Sequence, residues 1–388
     1  MHISSKGTAH SSQVAQVRIH KSLDIRLLEG SEQAIVIRGS TFLHVTMASA
    51  PLPTTYKAVI LTDANAPFKL HDVKLQHPGP GQVLVRVLAC GVCFSDIAMA
   101  QGHLGDVFPR TPGHELIGDV VELGQDVSRF TIGERVGGSW HGGHDGSCRQ
   151  CQKGRFQMCE HQTINGVTQD GGFAEYVLLR QEAIVRIPKN MNPAEAAPLL
   201  CAGVTVFNGI RKLQVEQGAI VAVQGLGGLG HLAVQYASKM GYEVAVLSSG
   251  DDKATFATQL GAHHYINSKK VDGPAELAKV GGASIIVQTA PNPGIIGRLV
   301  DGLAPGGKLL CLAPVGGVEF DTATLVNGGR SVHGWPSGHA IDSEDAIRFA
   351  QLHGIKCLVE EYALTNVQEA IDTLLAGKPR FRNVLVME

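Results

Sequence analysis

Three residues far apart in the 388-residue chain, Cys93, His114 and Cys201, carry side chains suited to holding one metal ion. They stand in the contexts Cys90-Gly-Val-Cys-Phe-Ser-Asp96, Pro112-Gly-His-Glu115 and Pro198-Leu-Leu-Cys-Ala-Gly-Val204. Two thiolates and one imidazole give a tetrahedral zinc three protein ligands and leave the fourth position open, the arrangement of a catalytic site. Zinc held this way polarises a substrate oxygen and lowers the pKa of a bound alcohol. Each residue alone reads more simply as a buried thiol or a hydrogen-bonded histidine; the three gain meaning together, beside a dinucleotide motif. A second set, Cys148-x2-Cys151-x7-Cys159, packs three of the eight cysteines into a short lobe of the kind that holds a structural zinc.

The dinucleotide motif lies where the apolar stretch Ala219–Gln224 runs into Gly225-Leu-Gly-Gly-Leu-Gly230, followed by a helical pattern over His231–Met240. Glycines at this spacing permit a tight turn, close approach of a pyrophosphate and close packing of helix on strand. Gly225, Gly227, Gly228, Leu229 and Gly230 are therefore cofactor-binding candidates, with the free N–H groups of the helix start facing the phosphates. The second strand ends at Ser248-Ser249-Gly250-Asp251-Asp252-Lys253. A carboxylate about twenty residues past the glycines would bind the ribose hydroxyls of NAD(H). Ser248 and Ser249 stand there instead, and with Lys253 they favour the 2′-phosphate of NADP(H). Asp251 and Asp252 oppose that phosphate and keep NAD(H) open.

From about Tyr56 to its end the chain resembles the medium-chain zinc alcohol dehydrogenase family. The resemblance is carried by Cys93, Ser95, Asp96, Gly113-His114-Glu115, Cys201, the glycine turn and Arg382. It implies that Ser95 takes the substrate proton and that Asp96 orients His114 or a neighbour. Glu115 is implied to sit behind the zinc, within reach of exchanging as a ligand, and Arg382 to reach a cofactor phosphate. The family's structural lobe has four cysteines, and Asp145 occupies the first of those positions. A carboxylate binds zinc at ~2.0–2.2 Å, so Asp145 with Cys148, Cys151 and Cys159 makes a reasonable set. His141 and His144 are alternative donors, and a metal-free loop of thiols is the competing reading.

Other positions depart from the family. Phe94 follows Cys93 where many relatives place His or Arg against the pyrophosphate. Ala98 replaces the His that passes the proton to solvent, so the relay from Ser95 is expected to end in water. Ala100 replaces a Trp that narrows the pocket of ethanol-type enzymes, while Trp140 is placed to line the cleft. A wider slot implies substrates larger than ethanol, aromatic or medium-chain aldehydes among them.

The elements positioning these residues change character along the chain. Short alternating strands broken by Gly and Pro, such as Gln82–Leu88, Gly118–Leu123 and Ala174–Leu178, run to about residue 200. Strands apolar on both faces then alternate with helices: Ala219–Gln224, Glu243–Leu247, Ser284–Thr289 and Lys308–Ala313. That is the pattern of a parallel sheet covered on both sides. Helices at Ser343–His353 and Asn366–Ala376 and a strand at Asn383–Met387 close the chain. The expected class is α/β: a β-rich, GroES-like catalytic domain with an inserted doubly wound Rossmann domain. The boundaries read as 1–47 for an N-terminal extension, 48–201 with 345–388 for the zinc-binding catalytic domain, and 202–344 for the Rossmann domain. The resemblance implies that two chains pair their Rossmann sheets, and Ser331–Trp335 reads as the edge strand available for that, so a homodimer or homotetramer is expected.

Bulk properties narrow the field further. A formal net charge of −2 with no basic stripe excludes a nucleic-acid partner, and no apolar run approaches the ~20 residues of a membrane span. The resemblance implies a small-molecule alcohol or aldehyde as the partner. Scattered cysteines fit a reducing, cytoplasmic setting. Residues 1–46, rich in Ser, His and Gln, read as an unstructured extension or a non-native start. Lys6, Arg18, Lys21 and Arg26 favour a mitochondrial presequence; Asp24, Glu29 and Glu32 oppose one. Two rivals share the motifs. A zinc polyol or sugar dehydrogenase places Glu where Cys201 stands, and a non-catalytic dinucleotide-binding protein would lose the zinc ligands. A chain starting at Met47 is expected to express and turn over like the full chain; its failure to fold would make the segment structural.

Overall fold

The computed structural model describes residues 51–387 and, upstream, the two-residue strands Arg26–Leu27 and Ile35–Val36. Those strands pair antiparallel, an element that the polar composition of the extension does not announce. The other readings made of residues 1–46 lie outside the described residues. The main compact unit begins at Thr55.

The first sheet has seven strands. Its order is Ile184–Arg186, Arg135–Gly138, Leu116–Leu123, Gln82–Gly91, Arg382–Val386 and Val359–Ala363, with Tyr176–Arg180 also paired to Gln82–Gly91. Gln82–Gly91 is the hub, because it meets Leu116–Leu123, Tyr176–Arg180 and Arg382–Val386, all antiparallel. The strand runs three residues past the alternating pattern, through Ala89-Cys90-Gly91, which are buried on both faces. Its far end delivers the chain to Cys93. The chain's last strand thus returns to the sheet that its early residues begin.

The second sheet is parallel throughout, in the order His264–Asn267, Glu243–Ser248, Ile220–Gln224, Ala283–Gln288, Leu303–Cys311, Ser331–Gly334. Numbered along the chain this is the 3-2-1-4-5-6 order of a doubly wound dinucleotide fold. The order reverses between Ile220–Gln224 and Ala283–Gln288, which puts a ligand crevice at the end of Ile220–Gln224. Ser331–Gly334 is one edge strand and His264–Asn267 the other. The central strands Ile220–Gln224, Glu243–Ser248 and Ala283–Gln288 are apolar because nearly all their residues are buried on both faces.

Helix Ala202–Lys212 joins the two halves. Its first nine residues are all buried, and it packs against helices Gly230–Lys239 and Ala340–His353. Phe207 on this helix meets Tyr236 and Phe349, with ring centroids 5.4 Å apart in each pair. Arg211 adds a polar fastening, pairing with Asp342 at 2.7 Å and Asp345 at 2.9 Å. The helix containing those carboxylates starts at Ala340, three residues ahead of the periodic pattern. Asp342 accepts from the His339 backbone N–H, a capping box that the apolar spacing does not reveal.

Tyr236 is fully buried, and its hydroxyl donates to the Ala346 carbonyl at 3.0 Å. Tyr236→Phe keeps the volume and removes the donor. It should cost about 0.5–1.5 kcal/mol, read as a lower Tm with cofactor affinity unchanged; an unchanged Tm would show that the bond contributes nothing to joining the helices.

Candidate active site

Cys93 caps helix Phe94–Ala100 from an extended backbone, with its own N–H donating to Asp96 Oδ2 at 2.8 Å. The other Asp96 oxygen accepts from Gly113 N at 3.1 Å and lies 3.2 Å from His114 Nδ1. One buried carboxylate therefore fixes both Cys93 and the turn bearing His114. Gly113 has φ +100°, and a Cβ there would fall 2.6 Å from Phe173 Cδ1, so the turn requires glycine. Cys201 arrives at the start of helix Ala202–Lys212. Its thiol, that of Cys93, the His114 ring and the Glu115 carboxylate bring their ligand atoms within 4.8 Å of one another.

The His114 ring is wholly buried, and its Nε2 finds no hydrogen-bond partner among the described residues. Orphaned imidazole nitrogen beside two thiols is costly unless a metal takes the lone pair, so the donor set fits zinc. Trp140 packs edge-on against the ring with centroids 4.9 Å apart. Cys93 is held well below the ordinary thiol range by a hydrogen bond from Cys201, with His114 and Arg382 adding to the effect and burial opposing it. Cys201 is raised by the neighbouring Cys93 and by burial. Ser95 sits at the mouth, its Oγ 3.6 Å from Cys93 Sγ.

Glu115 packs its carboxylate over Gly91, where a side chain would collide with it. Burial pushes this carboxyl up to about 7 against the pull of Arg382. Arg382 forms a buried ion pair with Glu115, a contact across 267 positions that sequence spacing could not signal. The same side chain also abuts the glycine turn: a Cβ on Gly228 would lie 2.8 Å from Arg382 Cδ. The arginine assigned by resemblance to a phosphate thus also bridges to the ligand cluster.

In the turn itself, Gly225 has φ +96° and a Cβ there would fall 2.6 Å from that of Ala290. Gly230 lies so close to the Gly225 carbonyl that no side chain fits, which packs helix Gly230–Lys239 tightly on its strand. A Cβ on Gly227 would meet open space, leaving that face free for a ligand. Ser248 and Ser249 follow at the end of Glu243–Ser248, as the sequence indicates. Asp251 is drawn aside, 2.7 Å from Lys270 Nζ and accepting from Asn267 Nδ2 at 2.8 Å. Asp252 lies 3.6 Å from Arg380. Lys253 is thus joined near this strand end by two further cations, Lys270 and Arg380, folded in from distant segments.

The second cluster also assembles, with ligand atoms of Asp145, Cys148, Cys151 and Cys159 within 4.8 Å of one another. Cys148 Sγ accepts from Cys151 N at 3.5 Å, and Cys159 Sγ from His161 N at 3.3 Å, the pattern of sulfurs prepared to bind as thiolates. Asp145 is held well below the carboxylate range by the Cys148 N–H first, then by His161 and Ser147. His141 and His144 do not join. They pair with each other at 3.2 Å, and His144 stacks on Phe156.

Residues 79–189 match the model of the alcohol dehydrogenase GroES-like domain, and residues 228–352 that of the zinc-binding dehydrogenase domain. The chain is 51% identical to the alcohol dehydrogenase patD of Penicillium expansum, over 86% of this chain and 98% of that protein. The chain belongs to the medium-chain zinc-dependent alcohol dehydrogenase family. Its structure resembles the CAD protein of Helicobacter pylori solved with NADP(H), at a TM-score of 0.77 and 26% identity over 86% of this chain and 98% of that one. It equally resembles acetophenone reductase of Geotrichum candidum solved with NAD, at a TM-score of 0.77 and 25% identity over 87% and 98%. Family membership makes the protein an oxidoreductase that uses zinc and a nicotinamide cofactor. No helix among the described residues is long and apolar enough to cross a membrane.

Asp96 holds both Cys93 and the His114 turn, so Asp96→Asn should weaken zinc retention at this cluster about 10–100-fold. Zinc content after dialysis against a graded chelator measures this; wild-type retention in the variant would remove Asp96 from the account.

Proposed function

We propose that the protein is an NADP(H)-preferring zinc alcohol dehydrogenase whose physiological direction is reduction of an aldehyde larger than acetaldehyde, aromatic or medium-chain. The observation that carries the reading is the convergence of Cys93, His114 and Cys201 ligand atoms with Glu115, joined through Arg382 to the glycine turn. In this reading the three residues hold the catalytic zinc, which supplies Lewis acidity to the substrate oxygen. Gly225, Gly227, Gly228, Leu229 and Gly230 would hold the cofactor's pyrophosphate, and its nicotinamide would supply or accept the hydride. Ser95 exchanges the proton of the hydroxyl group. Ala98 offers no onward acceptor, so that proton is exchanged with water. Asp96 orients His114, Glu115 stands behind the zinc, and Arg382 divides its charge between Glu115 and a cofactor phosphate.

The same reading assigns a catalytic domain to residues 48–201 with 345–388 and a cofactor domain to 202–344. It counts two zinc ions per chain, the second on Asp145, Cys148, Cys151 and Cys159. The edge strand Ser331–Gly334, bonded on one side only, is available to pair two chains into a homodimer or homotetramer, and the reduced cysteines favour the cytoplasm. The polyol-dehydrogenase reading is disfavoured by Cys201, and a non-catalytic role by the intact ligand set.

The cofactor preference rests on the end of strand Glu243–Ser248. Ser248 and Ser249 leave it without a carboxylate, and Asp251 and Asp252 are turned to Lys270, Asn267 and Arg380. Charge-assisted bonds to a phosphate contribute roughly 1.5–3 kcal/mol each, about ten- to a hundredfold in affinity. Lys253→Ala should therefore cut kcat/KM for NADPH by that order and leave NADH nearly untouched. Ser248→Asp should swing selection toward NADH. An NADH preference in the wild type, indifferent to Lys253→Ala, would falsify the proposed cofactor choice.

A further inference from the structure

The metal lobe contains a residue that nothing in its cysteine spacing singles out. His161 lies two positions beyond Cys159, and its ring Nδ1 donates to Asp145 Oδ2 at 2.8 Å. Its backbone N–H donates to Cys159 Sγ at 3.3 Å. One residue thus touches two of the four donors, at opposite ends of the lobe's sequence.

The carboxylate's own inventory shows what the ring does. An ionised carboxylate offers about four lone-pair directions. Asp145 Oδ1 accepts from Ser147 N at 2.8 Å and from Cys148 N at 2.9 Å, which fills its share. Oδ2 accepts from His161 and keeps one direction free. A cysteine has a single sulfur to present and needs no such fixing. An aspartate has two oxygens and a rotatable carboxylate, so unless both oxygens are tied the group turns away from the thiols. The backbone bonds tie one oxygen, and His161 ties the other. An exposed histidine–carboxylate contact contributes little by itself; here its geometric effect falls on a donor set that must close around an ion.

We propose that His161 is a positioning residue for the structural metal, holding Asp145 so that Oδ2 completes the set with Cys148, Cys151 and Cys159. The inference rests on the reading of Asp145 as the fourth ligand. It makes the aspartate and the histidine a functional pair that stands in for one cysteine.

The test uses the full-length, zinc-loaded protein and follows zinc release to a chromogenic chelator, with total zinc measured by mass spectrometry. The lobe's phase is the one that disappears in Cys151→Ser. His161→Ala should speed that phase about 10–100-fold, the usual effect of losing a partner to a metal-binding side chain. His161→Asn, whose amide N–H can still donate to the carboxylate, should restore most of the wild-type rate. In an Asp145→Cys background, where no carboxylate needs orienting, His161→Ala should change nothing. An unchanged rate in His161→Ala while Asp145→Ala loses the phase would overturn the role of His161 and leave Asp145 as the ligand. Equal acceleration with and without Asp145 would overturn it too, placing the effect on Cys159. If neither Asp145→Ala nor His161→Ala alters release, the reading of Asp145 beneath the proposal falls with it.

Discussion

A carboxylate drawn into a buried site beside two thiols and an imidazole needs a cation against it. The cost of desolvating each unpaired ion runs to several kcal/mol. Arg382 is the buried cation set against it, paired with Glu115 and felt by Cys93 and Cys201. It opens the chain's last strand, which lies between Gln82–Gly91 and Val359–Ala363. The return of the C-terminal segment to the first sheet therefore also sets a cation against Glu115. The same side chain rests against Gly228, so the group that neutralises the metal ligands also meets the cofactor turn. Removing it would leave Glu115 buried and unpaired, a heavier penalty than the loss of the pair itself.

The parts of this arrangement that could be read from the sequence are those with a local cause. Ile220–Gln224 and Ala283–Gln288 read as central parallel strands because apolar residues occupy both faces. The glycine turn reads as a dinucleotide site because strand precedes and helix follows it. Cys93, His114 and Cys201 read as a ligand set because only a few chemistries use two thiols and a histidine. The contacts that could not be read join distant segments: Arg382 to Glu115, Arg380 to Asp252 and Lys270 to Asp251. Each involves a residue type that is ordinarily solvated, and its partner is decided by the fold. Helix boundaries slipped for a related reason. Ala340–His353 begins early because Asp342 caps it, a polar signal that apolar periodicity does not include.

His161 shows the same limit at closer range. It is only two residues from Cys159, yet nothing about a lone histidine in an exposed loop distinguishes a positioning group from a solvated one. Its meaning comes from Asp145, sixteen positions away, and from the number of lone pairs that a carboxylate must dispose of. Replacing a sulfur by a carboxylate changes how many groups must hold the ligand still, and the added requirement appears at a second position.

The two clusters hold similar donors in surroundings that differ most at their carboxylates. His114 and Glu115 are sealed from solvent, whereas Asp145 and His161 lie at the surface. In the sealed site low polarizability strengthens every charge interaction, which suits a group meant to act on a substrate oxygen. In the exposed lobe the donors are pinned by backbone N–H groups from Ser147, Cys148, Cys151 and His161, each within three residues of its acceptor. Such local bonds order a loop cheaply and ask nothing of the rest of the fold. Cys93, His114 and Cys201 instead come from three separate segments, so their convergence depends on the first sheet and on helix Ala202–Lys212 being in place.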